Sequence, residues 1–257
     1  IVVLLALSAC SKPSAPTLFE PLSAERTGIT FVNAVPPDDP AFNIIEYMYY
    51  YDGAGVAAAD FNGDRLPDLY FVANLGPNRL YLNRGDFRFE DVTEQAGVAG
   101  TGNWNTAAAV VDLDGNGWPD IYLVTFSNYL DRTGRNQLFL NLGPDENGIP
   151  RFREAAAEFG LDIAAYGTQA VFLDYDRDGD LDVYLLHRAL HTPESYGPAQ
   201  TLRARFDPNA SDRLLRNDNG RCVAVTAEAG IEDGLIGYGL GVVVSDLDQD
   251  GWPDLFV

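Results

Sequence analysis

Four nine-residue stretches of this chain place oxygen-bearing side chains at positions 1, 3, 5 and 9: DFNGDRLPD from Asp60, DLDGNGWPD from Asp112, DYDRDGDLD from Asp174 and DLDQDGWPD from Asp246. The ligand candidates are Asp60, Asn62, Asp64 and Asp68, then Asp112, Asp114, Asn116 and Asp120, then Asp174, Asp176, Asp178 and Asp182, then Asp246, Asp248, Asp250 and Asp254. In the third copy the backbone carbonyl of Asp180 could fill a further position. An extended run of this length cannot surround a point. The glycine at position 6, which tolerates positive φ, must fold the carboxylates inward. Carboxylates gathered so closely repel unless a cation neutralises them, and a set made only of hard oxygens favours calcium over softer metals.

Position 12, where an EF-hand needs a bidentate glutamate, is Phe71, Leu123, Leu185 or Val257, which excludes that motif. The same residues show what positions the loops. Each loop runs straight into an apolar segment beginning at Leu69, Ile121, Val183 or Leu255, and follows a run of small and β-branched residues such as 55–59 or 107–111. Short apolar run, ligand loop and second apolar run predict strand, turn and strand, so the ion would sit at a hairpin connection.

Two further landmarks recur. Asn78-Arg-Leu-Tyr-Leu-Asn83 is matched by Asn136-Gln-Leu-Phe-Leu-Asn141 and more loosely by Asp212-Arg-Leu-Leu-Arg-Asn217. A stretch read as a strand ending in glycine and an aliphatic residue runs from Phe89 to Val98, from Phe152 to Leu161 and from Cys222 to Ile231, with a related stretch from Phe19 to Ile29. The loops begin 52, 62 and 72 residues apart, long enough for a four-stranded unit, and the variable length falls between the first two landmarks. Repeats of this size predict an all-β fold, specifically a β-propeller whose insertions lie on one surface.

Composition agrees with a folded, exported chain. Of 257 residues 46% are hydrophobic, enough for a sizeable core. The net charge of −21 argues against nucleic acid or an anionic membrane surface as partner, and four divalent cations would offset eight of those charges. Two cysteines and two histidines argue against a disulfide framework and a zinc site. Cys222 occupies the place of Phe89 and Phe152, which predicts a buried small hydrophobe.

DFNGDRLPDLYF, DLDGNGWPDIYL, DYDRDGDLDVYL and DLDQDGWPDLFV resemble the FG-GAP/VCBS repeats of integrin-α-like propellers. The stretch from Asn43 to Val56 resembles the entry segment of bacterial VCBS-repeat lipoproteins of the cartilage acidic protein family. The resemblance spans roughly residues 18–257. It implies a calcium-stabilised propeller, usually seven-bladed and often secreted or surface-attached. Two departures stand out. Arg65 replaces the glycine at position 6 of the first copy, which predicts strain of about 1 kcal/mol and a weaker site around Asp60. The sequence stops at Val257, directly after the fourth loop, and the expectation is a fragment of three to four blades out of seven, because an unclosed ring exposes edges.

The apolar run 1–9 leads into Leu7-Ser8-Ala9-Cys10, which resembles the lipobox of bacterial lipoproteins. It implies a truncated signal peptide over residues 1–10, lipidation of Cys10, a Ser/Pro-rich tether over 11–17 and a partial propeller over 18–257. The protein would then be anchored in the bacterial cell envelope, touching membrane only through its lipid.

Other residues divide between two readings. His187 and His191, four apart, could ligate a metal, but Arg188 occupies the place of a zinc protease's glutamate, which favours a loop-surface role. Arg84-Gly85-Asp86 reads as a hairpin connection ahead of an integrin-recognition tripeptide. The aromatic run 47–51 could line a sugar or peptide groove; alternation would instead send part of it into a blade core, the favoured reading. No catalytic constellation emerges, so the expected function is a non-enzymatic adhesion or interaction module binding protein or glycan, with specificity on the insertions, especially 187–211. The alternatives are a polysaccharide-acting enzyme with catalytic residues on insertions or outside this sequence, and a scaffold in a periplasmic assembly.

Overall fold

A computed structural model describes residues 18–37, 39–190, 197–203, 205–231, 234–235 and 237–257; Cys10, the 11–17 tether and His191 lie outside them. The first repeat forms an antiparallel meander of β1 (Val56–Ala59), β2 (Asp68–Phe71), β3 (Arg79–Asn83) and β4 (Phe89–Asp91). The second repeats it with β5 (Asn105–Val111), β6 (Asp120–Thr125), β7 (Gln137–Pro144) and β8 (Pro150–Glu154). The third uses β9 (Gly167–Leu173), β10 (Asp182–His187), β11 (Arg213–Asn217) and β12 (Cys222–Ala224), and a hairpin of β13 (Val243–Ser245) and β14 (Asp254–Phe256) begins a fourth. Every acidic stretch is the connection between the first two strands of its sheet, as the sequence predicts. The fold is all-β: propeller blades of four strands each.

Blade stacking follows from the two-residue side-chain period of a strand. Along β6, Ile121 and Leu123 pack with Tyr70, Val72, Leu80 and Leu82 of the first blade. Tyr122 and Val124 point the other way and pack with Ala170, Val183 and Leu185 of the third. Both faces are therefore covered, which is why β6 and β10 are buried at every position and read as unbroken apolar runs. Truncating a residue such as Leu123 to alanine would cost about 2–5 kcal/mol.

The first strands of neighbouring blades, β1, β5 and β9, lie side by side. Small residues allow the approach: a Cβ on Gly55 would lie 3.2 Å from Ala107 Cα. At the ends of these strands far from the acidic loops, Gly55 N–H donates to Thr106 O (3.0 Å) and Thr106 Oγ1 donates to Gly167 O (3.1 Å).

The second landmark is a strand with a polar residue at each end. Its first residue caps the β-strand before it: Ala73 N–H donates to Asn78 Oδ1 (2.9 Å), Thr125 N–H to Asn136 Oδ1 (2.8 Å) and His187 N–H to Asp212 Oδ1 (2.7 Å). These acceptors, of which Asn78 and Asn136 are buried, satisfy backbone that the ladder leaves unpaired.

The third landmark differs from the expected strand ending in glycine. After three to five residues of strand the chain makes a single helical turn, α2 (Thr93–Ala96) or α3 (Ala156–Phe159), and α1 (Ala24–Thr27) is its counterpart before the first blade. Asp91 Oδ1 accepts from Thr93 N–H at 3.0 Å and Glu154 Oε1 from Ala156 N–H at 2.9 Å, starting the turn. Gly28, Gly97 and Gly160 end it at φ of 78, 78 and 71°. These glycines also seat the next outer strand, since a Cβ on Gly28 would lie 2.5 Å from Phe89 O and one on Gly160 2.9 Å from Cys222 O. Cys222 is buried where Phe89 and Phe152 stand in the other blades, and burial pushes its thiol pKa up to about 12. The last helical turn, α4 (Ala199–Arg203), lies in the third blade's insertion.

Two further expectations are corrected. His187 is not on a loop surface: it ends β10, buried, with Nδ1 2.7 Å from Ser211 O, and burial pushes its pKa down to about 4. The aromatic run is turn, not strand, and its inward residues fall three apart. Tyr47 and Tyr50 join Phe42, Trp104, Phe126 and Leu190 in a separate aromatic cluster, while Met48 and Tyr51 face solvent. Arg84-Gly85-Asp86 is the β3–β4 hairpin connection, closed by Arg84 N–H donating to Arg88 O (2.7 Å).

Candidate metal centre

Each acidic loop bends at two positions. Position 6 has positive φ throughout, at 70° for Arg65, 89° for Gly117, 97° for Gly179 and 86° for Gly251. Position 4, which carries no sequence signal shared by all copies, does the same at Gly63, Gly115, Arg177 and Gln249. Two left-handed residues around position 5 curl each loop back on itself.

The aspartate at position 9 ties that curl to the blade. Asp68 accepts from Phe61 N–H (2.9 Å) and Asn83 N–H (2.8 Å), Asp120 from Leu113 N–H (2.9 Å) and Asn141 N–H (2.7 Å), and Asp182 from Tyr175 N–H (2.8 Å) and Asn217 N–H (2.8 Å). Asp254 accepts from Leu247 N–H at 2.8 Å in the fourth. In the first three blades one side chain therefore joins the loop to the third strand, at the closing asparagine of the second landmark. Burial pushes the carboxyls of Asp68 and Asp120 up to about 6, and nearby loop aspartates add to the effect while the donated N–H groups oppose it. Asp182 moves up for the same reason.

Three loops gather carboxylate oxygens within 4.8 Å of one another: Asp112, Asp114 and Asp120; Asp174, Asp176 and Asp182; Asp246, Asp248 and Asp250. Asn116, Asp178 and Asp254 lie outside these trios. Asn116 Oδ1 accepts from Trp118 N–H (2.8 Å) and Asp178 Oδ1 from Asp180 N–H (2.9 Å). Asp60, Asn62, Asp64 and Asp68 assemble no such trio.

The difference between loops is visible at position 1. Asp60 accepts from the N–H groups of Gly63, Asp64 and Arg65 at 2.7, 3.1 and 2.7 Å. Asp112 accepts from two, Asn116 (3.0 Å) and Gly117 (2.9 Å). Asp174 and Asp246 each accept from the glycine at position 6 alone, at 3.2 and 3.0 Å. In the third loop Asp174 Oδ1 is buried and has no hydrogen-bond donor. A carboxylate oxygen left so is costly unless something positive faces it. An all-oxygen donor set with one buried oxygen unanswered fits a hard divalent cation.

The loops also touch one another. A Cβ on Gly63 would lie 2.9 Å from the indole of Trp118, position 7 of the next loop. Arg177, position 4 of the third loop, lies under Trp252, position 7 of the fourth. Trp118 and Trp252 are ligand-loop residues that sequence reasoning passed over, although both stand in the same Gly-Trp-Pro-Asp segment.

Comparison with known proteins agrees with this arrangement. Residues 60–123 match the FG-GAP-like repeat family. The chain is 26% identical over 208 residues to cartilage acidic protein 1 of Xenopus tropicalis, covering 81% of this chain and 29% of that protein. It is also 26% identical over 209 residues to cartilage acidic protein 1 of Homo sapiens, covering 81% of this chain and 28% of the relative. The chain thus spans less than a third of the length of these relatives. Residues 60–123 thus carry an FG-GAP-like repeat, and the acidic hairpin and four-stranded blade of that repeat recur along the chain.

Proposed function

We propose that this chain is a calcium-stabilised propeller segment that serves as a rigid, non-enzymatic interaction module, binding protein or glycan outside the cytoplasm. The observation that carries the reading is the carboxylate trio of Asp174, Asp176 and Asp182 with Asp174 Oδ1 buried and unanswered. Calcium would be held by that trio, by Asp112, Asp114 and Asp120, and by Asp246, Asp248 and Asp250. It supplies the positive charge that lets each hairpin close. The first loop needs it least, because backbone N–H groups already face Asp60.

Two groups that chemistry would otherwise use are structurally engaged: His187 faces Ser211 O inside the third blade, and the Cys222 thiol is buried between blades. That supports binding over catalysis. Export follows from the acidic sites, which at weak extracellular affinities of about 10⁻⁴–10⁻³ M need a calcium-rich compartment. A lipid anchor at Cys10 would place the module in the cell envelope.

The test is direct. Calorimetric titration with calcium is expected to show about three sites, and a panel of glycans and secreted proteins should yield binding without bond cleavage. Glycan cleavage by the purified protein would overturn the non-enzymatic reading. Absence of calcium binding at millimolar concentration would overturn the metal sites.

A further inference from the structure

Beside the inner strands, toward the end away from the acidic loops, lies a pocket of about 470 Å³, within the range of small-ligand sites. It is lined by the small residues Gly53, Ala54, Gly55 and Ala107 and by Tyr47 and Tyr49. Arg188 reaches into it. Its side chain is 6% exposed, Nε donates to the buried Thr168 hydroxyl at 3.0 Å and Cζ stands 4.1 Å from the Tyr49 ring centre.

The carboxylate that answers this arginine is unusual in one respect. Asp52 Oδ2 accepts from Arg188 Nη1 at 3.1 Å, yet the Asp52 side chain is 48% exposed and stands on a turn. A guanidinium fixed by Thr168 and Tyr49 therefore faces a half-solvated carboxylate that water can already reach. Arginine's planar fork suits a second carboxylate equally well.

We propose that this pocket binds a small carboxylate-bearing ligand, of sugar-acid or amino-acid size, whose carboxylate takes the place of Asp52 on Arg188. The acidic loops do not prevent it. They lie toward the other end of β5, where Asp112 is four residues from Ala108 of the pocket lining, about 13 Å at roughly 3.3 Å per residue, against a screening length of about 8 Å at physiological salt. The inference is independent of calcium binding.

The experiment titrates the whole chain, in millimolar calcium, with galacturonate and with N-acetylaspartate, using galactose and N-acetylasparaginamide, in which both carboxyls are amides, as neutral counterparts. Saturable binding of at least one acid is expected, at least tenfold tighter than its neutral counterpart, and the acid that binds identifies the source of the carboxylate. Asp52→Asn should tighten that acid at least threefold by removing the competitor, and Arg188→Gln should abolish binding. Should Arg188→Gln fail to fold, Asp52→Asn still decides. Binding of neither acid, equal binding of acid and neutral compound, or an Asp52→Asn affinity that is unchanged or weaker would overturn the proposal.

Discussion

Trp252 lies over the guanidinium of Arg177, whose Cζ is 3.6 Å from the indole ring centre, so the fourth acidic loop is held against the third by a cation–π contact. Trp252 is exposed, and such a contact is worth about 0.5–1 kcal/mol. Denaturant unfolding of Trp252→Ala, Arg177→Ala and the double variant should return a coupling of that size. Additive effects would show that the two loops are energetically independent.

Arg65 has φ of 70° in the place where the other loops have glycine. Its backbone N–H donates to Asp60 Oδ2, an interaction glycine keeps. Arg65→Gly should therefore raise stability by at most about 0.5 kcal/mol, the relief of about 1 kcal/mol from a left-handed non-glycine residue less about 0.4–1 kcal/mol for the added freedom of the unfolded chain. A loss of stability in urea unfolding would mean the Arg65 side chain makes a compensating contact.

Much of this arrangement is legible in the sequence, and the parts that are not have physical reasons. The hairpin position of the loops is legible because each is bracketed by apolar runs and carries its polar residues at fixed offsets, and Asn83 and Asn141 stand out because they answer to the same position-9 aspartate. The turns α2 and α3 escaped notice because four residues are too few to display a 3.6-residue period. Tyr47 and Tyr50 were expected to follow strand alternation, but the segment is held as turn by bonds such as Tyr50 N–H to Tyr47 O. His187 was misplaced because the third blade's long insertion begins one residue after β10, leaving no sequence mark of where the strand ends. The first loop forms no carboxylate trio, and the crowd of N–H donors around Asp60 that goes with this is announced by no residue type.

The buried carboxyls give a pH dependence whose sign depends on calcium. With folded-state values of about 6 against an ordinary 3.8, Asp68 and Asp120 bind protons in the ion-free native state that the unfolded chain does not take up until lower pH. Their contribution to stability is present in full below the unfolded value and is lost as pH rises through about 6. In calcium-depleted buffer the melting temperature should therefore rise from pH 7 to pH 5. With calcium present, protons compete with the ion and the stabilisation it gives should shrink over the same interval. Thermal scans at both pH values, with and without calcium, check both signs.

Asp120 accepts two backbone N–H groups from inside the protein, so Asp120→Ala leaves Leu113 N–H and Asn141 N–H without their partner. A loss of about 2–4 kcal/mol is expected, well above that of Asp64→Ala on the exposed first loop. Equal costs in chemical denaturation would contradict the clamp assigned to position 9.

The central claim is that the acidic hairpins close around divalent ions, and its most direct measurement is the melting temperature of the protein in excess chelator and in 10 mM calcium. Each site with affinity near 1 mM contributes about 1.4 kcal/mol under those conditions, so the melting temperature should rise clearly with calcium, and Asp176→Ala should remove part of that rise. Superimposable curves with chelator and with calcium would contradict the account.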